Sequence, residues 1–123
     1  MKVTKMRLGI FMLFTIMTNA WAAELYCGGK VTYLAMHAND RFMVQLESMD
    51  NPVFFCNAQT TWSVSGAGYT TGPETCKMLY SSLLAAKTSG TAVGTLLFDG
   101  AEVPANCKAW GSWKTANIRY MYF

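Results

Sequence analysis

The stretch Gly72-Pro-Glu-Thr-Cys-Lys-Met-Leu-Tyr-Ser-Ser-Leu-Leu-Ala-Ala-Lys-Thr-Ser-Gly90 decides how this chain is read. It is the one clear helix in a sequence otherwise made of strand and turn signals. Gly72 is a permissive cap and Pro73 sits at the first helical position. Glu74 favours the positive end of the helix dipole. Cys76, Leu79, Tyr80 and Leu83 recur at i, i+3, i+4 and i+7, which puts them on one face. Lys87 stands in the last turn, and Gly90 is the natural stop. The cysteine in the first turn shares the apolar face. The expectation is that Cys76 pins the start of the helix onto a sheet.

Before the helix, the chain reads as strands. Lys30 to His37 and Arg41 to Ser48 form a hairpin around Ala38-Asn39-Asp40, where Asn and Asp tolerate the left-handed backbone. In the return strand Phe42, Val44 and Leu46 alternate with Met43, Gln45 and Glu47, the period of a half-buried strand. Gly28-Gly29 reads as a bend before the hairpin. Met49 to Pro52 is a turn and Val53 to Ala58 a third strand, which Trp62 to Val64 continue before Gly66 and Gly68 loosen the chain. After the helix, Thr91 to Phe98 reads as a strand and Asp99-Gly100 as a turn. Cys107 to Trp110 reads as a short strand and Ile118 to Phe123 as the last one.

The chain opens with Lys2, Lys5 and Arg7, an apolar run of ten residues from Leu8 to Met17, and Ala20-Trp21-Ala22. This is the pattern of a secretory signal peptide cut after Ala22. The run is shorter than the roughly 20 residues a membrane-spanning helix needs. Residues 1–22 are therefore read as leader and 23–123 as one disulfide-stabilised domain, periplasmic or secreted, with no membrane insertion once the leader is gone. Three of the ten basic residues lie in the leader and none of the seven acidic ones do. The remaining chain balances seven against seven, so it lacks the basic footprint of a nucleic-acid binder.

All four cysteines, Cys27, Cys56, Cys76 and Cys107, fall in the domain. An even count in an exported chain implies two disulfides. Three pairings are open. Each bridge stabilises so small a domain by about 2–4 kcal/mol. No Cys-x-x-Cys spacing favours zinc or redox chemistry, and one histidine with paired cysteines makes a metal site or cofactor unexpected.

Three strands, one helix and two further strands is the order of an OB-fold, a partly open barrel of five to six strands. The alternative is a small α+β antiparallel sheet with one packed helix. The strand Val53 to Ala58 with its cysteine, the helix Gly72 to Gly90 and the strand Thr91 to Phe98 together resemble the B subunits of bacterial AB5-type toxins, such as subtilase cytotoxin and typhoid toxin. The four-cysteine layout also resembles small exported proteins of Gram-negative bacteria. The toxin resemblance implies ring-forming, glycan-binding subunits. No diagnostic motif transfers binding residues.

The candidate binding residues are Trp62, Tyr69, Trp110 and Trp113, in segments read as loop or strand edge. Tyr and Trp offer an apolar body and a polar tip to a glycan or a protein partner. Trp is highly buried on average, so Trp62 and Trp110 also serve as core. Trp113, between Ser112 and Lys114, is read as exposed. An enzymatic alternative pairs His37 with a carboxylate, Asp40 being nearest in sequence. It has no identifiable nucleophile to serve, so the favoured reading is a non-enzymatic binding module, with oligomers open to it; a further alternative is a monomeric inhibitor or envelope-interaction protein.

The unreduced exported protein is expected to weigh as residues 23–123 less one hydrogen per cysteine. Intact-mass spectrometry checks both points; a cut after Ala23 is the runner-up, an uncleaved N-terminus would overturn the leader, and free thiols would overturn the disulfides.

Overall fold

The computed structural model describes residue 9 and residues 23–123. The leader expected at 1–22 lies outside the described residues. Six strands and one helix follow in chain order: β1 (Ala23–Gly29), β2 (Val31–His37), β3 (Arg41–Leu46), β4 (Val53–Asn57), α1 (Pro73–Ser89), β5 (Val93–Gly100) and β6 (Asn117–Tyr122). They form two three-stranded antiparallel sheets. A hairpin sheet runs β2-β3-β4, and a terminal sheet runs β1-β5-β6.

The domain is mostly β with one helix. Its strands make two sheets rather than one closed barrel, which answers to the α+β alternative better than to an OB barrel. The sheets meet in two places. On one side β1 passes into β2 through Gly29-Lys30. On the other, a parallel bridge joins Phe54 to Thr115, with Phe54 N–H donating to Lys114 O and Ala116 N–H to Phe54 O, each at 3.0 Å.

Sequence reading missed β1. Gly28-Gly29 is not a bend before the first strand but the end of one. A Cβ on Gly28 would stand 2.6 Å from Gly94 O, so the glycine permits close approach of β1 to β5. Gly29 adopts φ +117°, which only glycine takes readily. Asp99-Gly100 is likewise strand, not turn. The reason is tertiary: Glu24 pairs with Asp99 and Ala23 with Gly100, so the unread β1 extends β5 by two residues. Cys107–Ala109 is a single 3-10 turn instead of a strand. Trp62 to Val64 does not continue β4; Trp62 makes an isolated bridge to Thr71.

The hairpin turn is left-handed at Asn39 (φ 63°) and Asp40 (φ 61°), the requirement that selects these residue types. Along β3 the side chains of Phe42, Val44 and Leu46 enter the shared core, opposite Met36, Leu34 and Val31 of β2. Phe55, Leu83, Leu96, Phe98 and Trp110 fill the centre of that core. Each fully buried side chain of this size contributes about 1.5–3 kcal/mol.

The helix begins and ends where its sequence says. Gly72 is the extended N-cap, Pro73 opens the first turn, and Gly90 closes it at φ 69° with its N–H on the carbonyls of Ala86 and Lys87. Its buried residues are Cys76, Leu83 and Ala86, and Tyr80 packs on Phe42 with ring centroids 4.4 Å apart. Cys76 is bonded to Cys56 of β4, which pins the first turn onto the hairpin sheet. Cys27 of β1 is bonded to Cys107.

The two bridges close loops of different size, with sequence separations of 20 and 80. Chain entropy then assigns about 3 kcal/mol to Cys56–Cys76 and about 4.5 kcal/mol to Cys27–Cys107. Urea unfolding of the paired Cys→Ala variants should show losses in that order. Equal or reversed losses would mean native packing, not loop closure, sets their contribution.

Candidate functional site

Two successive phenylalanines on β4 must point to opposite faces of the sheet. Phe55 enters the core. Phe54 faces outward, beside its cross-strand neighbour Met43. Neither Phe54 nor Met43 belongs to the central core cluster, yet Phe54 is only 2% exposed. Its cover is the segment that follows Trp110.

Trp113 is the main piece of that cover. Its ring lies 5.8 Å from Phe54 and tilts by 35°. His37, at the end of β2, meets both rings edge-on, at 5.4 Å from Phe54 and 5.3 Å from Trp113. Arg41, directly across the hairpin from His37, holds its guanidinium carbon 4.3 Å from the centroid of Phe54. Its Nε is buried with no hydrogen-bond partner among the described residues. Phe54 is thus the floor, with Trp113, His37 and Arg41 around it. Trp113 remains 64% exposed.

Trp113 also holds φ at 60°, a left-handed backbone that is uncommon for a bulky residue. Such a conformation persists only where its surroundings fix it. They do so at both ends of the loop. Asn51 Nδ2 donates to Trp110 O at 2.7 Å, and the Phe54–Thr115 bridge holds the other end. Thr115 N–H and Oγ1 both donate to Glu102 Oε2, at 2.6 and 3.0 Å. The backbone bond from Thr115, with lesser help from its hydroxyl and from Lys114, holds the Glu102 carboxyl below its ordinary value against the opposing effect of burial.

The other candidates lie apart from this ledge. Tyr69 is exposed and stacks under the Arg119 guanidinium at 4.4 Å, with Arg119 Nη2 donating to its hydroxyl at 3.1 Å. Arg119 also pairs with Glu24 at 2.7 Å. Trp62 is half-buried and donates its indole N–H to Ala116 O at 2.9 Å. Trp110 is buried edge-on against Phe98, with ring centroids 5.3 Å apart. The structure therefore brings Trp113 together with His37, and brings neither to Tyr69, Trp62 or Trp110.

Among the described residues His37 bonds no carboxylate, and its Nδ1 lies 3.3 Å from Ala38 O. Among the described residues no three of His, Cys, Asp and Glu gather as they would around a metal ion, and no helix is long and apolar enough to cross a membrane. An open cleft of about 420 Å³ lies between the second half of α1 and Phe123, lined by Ser82, Ala85, Ala86, Ser89 and Thr91 without a charged side chain.

Comparison of the chain with family models, curated proteins and solved structures gives no match. Four strands precede the helix where the likeness to toxin B subunits expects three.

Sequence reading did not single out Phe54 or Arg41. The signal for Phe54 was the Phe-Phe doublet, because alternation forces one ring outward and an outward ring needs cover. Arg41 carried no comparable mark; only its position opposite His37 brings it to the ledge.

The Glu102 anchor gives a pH test. Because its folded value is depressed, its stabilisation is present above the ordinary value of 4.5 and is lost as pH falls through the folded value. The indole NMR signal of Trp113 should shift in that acid range and stay fixed there in Glu102→Gln. The same transition in the variant would assign it to another carboxylate.

Proposed function

We propose that this chain is an exported, non-enzymatic binding module of the toxin-B-subunit kind, and that the Trp113 ledge is where it meets a glycan. The observation that carries the reading is Trp113 itself: a large ring, mostly exposed, kept in a costly backbone conformation by bonds at both ends of its loop. A sugar ring offers a C–H face to an indole, which accepts it with both apolar area and π-electron density. Arg41 adds guanidinium donors at the margin, suited to sugar oxygens.

Export is supported by the leader pattern and by two disulfides, which persist in oxidising compartments. An OB-like arrangement belongs to the same reading: the two sheets would be halves of a partly open barrel, with β1 running into β2 on one side and the Phe54–Thr115 bridge on the other. Assembly into a ring is the matching expectation. β1, β2 and β6 each pair on one side only, and β4 has a single bridge to Thr115 on its second side, which leaves strand edges for a neighbouring copy.

Screening the disulfide-bonded domain on an array of immobilised glycans tests the reading. Trp113→Ala should weaken retention on the order of tenfold, with a lowered melting temperature because Phe54 loses its cover, while the domain stays folded. Undiminished retention by the variant, or no retained glycan at all, would remove the ledge as a glycan site.

A further inference from the structure

The outer face of the terminal sheet carries a second group of exposed rings. Leu25 and Cys27 of β1 are buried in the core, so Tyr26 between them points outward. Tyr26 pairs across the strands with Leu97 of β5, and Leu97 pairs in turn with Tyr120 of β6. These three side chains form one row on one face. Tyr26 and Tyr120 are 61% and 50% exposed, whereas Leu97 between them is 6% exposed. Tyr122 continues the row, 48% exposed, with its ring centroid 5.6 Å from that of Tyr120.

We infer that this face is a separate binding platform for an uncharged linear oligosaccharide. Two strand spacings separate Tyr26 from Tyr120, roughly 10 Å, which is the span of a disaccharide unit in an extended chain. Two rings at that distance, with a covered leucine as floor, suit alternate sugars of one chain.

Charge and area both narrow the occupant. The ionised side chains beside the rings, Glu24 and Arg119, are paired to each other at 2.7 Å, and Arg119 is further capped by Tyr69. Asp99, across the strands from Glu24, is 2% exposed, so the charge presented beside the rings is this paired couple. Tyr26, Tyr69, Tyr120 and Tyr122 are each about half exposed, which amounts to roughly 400 Å² at 150–250 Å² per ring. A stable protein interface needs about 800 Å² per partner. A short uncharged glycan fits that smaller area. The rings are also held in place. They stand on paired strands, and the Cys27–Cys107 bridge anchors β1 with Cys107 Sγ 3.1 Å from Tyr26 O. Little ordering is left to be done on binding.

This platform does not depend on the Trp113 ledge, and the test separates them. Cellohexaose and maltohexaose are titrated into the folded domain and followed by saturation-transfer and backbone-amide NMR. The expected result is transfer from tyrosine rings and amide shifts at Tyr26, Leu97 and Tyr120, with Trp113→Ala behaving as the wild type. The double variant Y26S/Y120S should bind on the order of a hundredfold more weakly, and Y26F/Y120F should keep binding. The proposal is overturned if neither sugar transfers saturation at millimolar concentration, or if Y26S/Y120S binds as well as wild type while folded. It is also overturned if Y26S/Y120S lowers the mass in sedimentation equilibrium, since the face would then be a contact between copies.

Discussion

The bond between Cys56 and Cys76 is the constraint on which the arrangement rests. Both cysteines are wholly buried, one in a strand and one in the first turn of a helix whose buried residues are few. A helix of this length draws most of its stability from the face it packs. Here that face is narrow, and a covalent tie supplies what burial does not. The tie also dictates the path of residues 58–72. The chain leaves β4 just after Cys56 and returns to Cys76, crossing the terminal sheet on the way. There Trp62 hydrogen-bonds Ala116 and Tyr69 lies on Arg119. A loop rich in Ser, Thr and Gly is thereby given a fixed course.

Local signals were legible in the sequence and long-range ones were not. The helix and its two glycine ends follow from capping and dihedral preferences, and the hairpin from alternation and the Asn-Asp turn. Each depends on neighbours a few residues away. β1 carried no such mark: Ala23–Gly29 is short, ends in two glycines, and is a strand because β5 lies beside it. The same pairing turned Asp99-Gly100 from an expected turn into strand. The disulfide partners were open for a related reason, since spacing does not reveal which strands meet. For the ledge, exposure of Trp113 was readable from its polar neighbours. Its contact with His37 was not, because 76 residues separate them and only the parallel bridge brings them together.

Both aromatic surfaces come from one rule applied with different results. A strand that buries alternate side chains must turn the others outward. On the hairpin sheet the outward ring, Phe54, is sealed by a loop that adds a tryptophan, and the fit strains the backbone. On the terminal sheet the outward tyrosines stay open on paired strands, beside a bulge at Arg119. The first surface is shaped by a hydrogen bond that Asn51 donates and by two that Glu102 accepts. The second is shaped by strand register and by the Cys27–Cys107 bridge. Loss of the Asn51 or Glu102 anchor would therefore disturb the first and leave the second in place.

The two sheets also differ in how far apart their strands lie along the chain. The hairpin sheet is complete within residues 31–57. The terminal sheet requires β1 to find β5 and then β6, from the opposite end of the domain. Closing long loops costs more entropy and slows folding. The hairpin sheet therefore has the shorter loops to close, and its cysteine lies only twenty residues from its partner. Residues 23–29 find their partner strand only beyond the helix. The Cys27–Cys107 pairing therefore spans nearly the whole domain, whereas Cys56–Cys76 spans one loop and one helix turn.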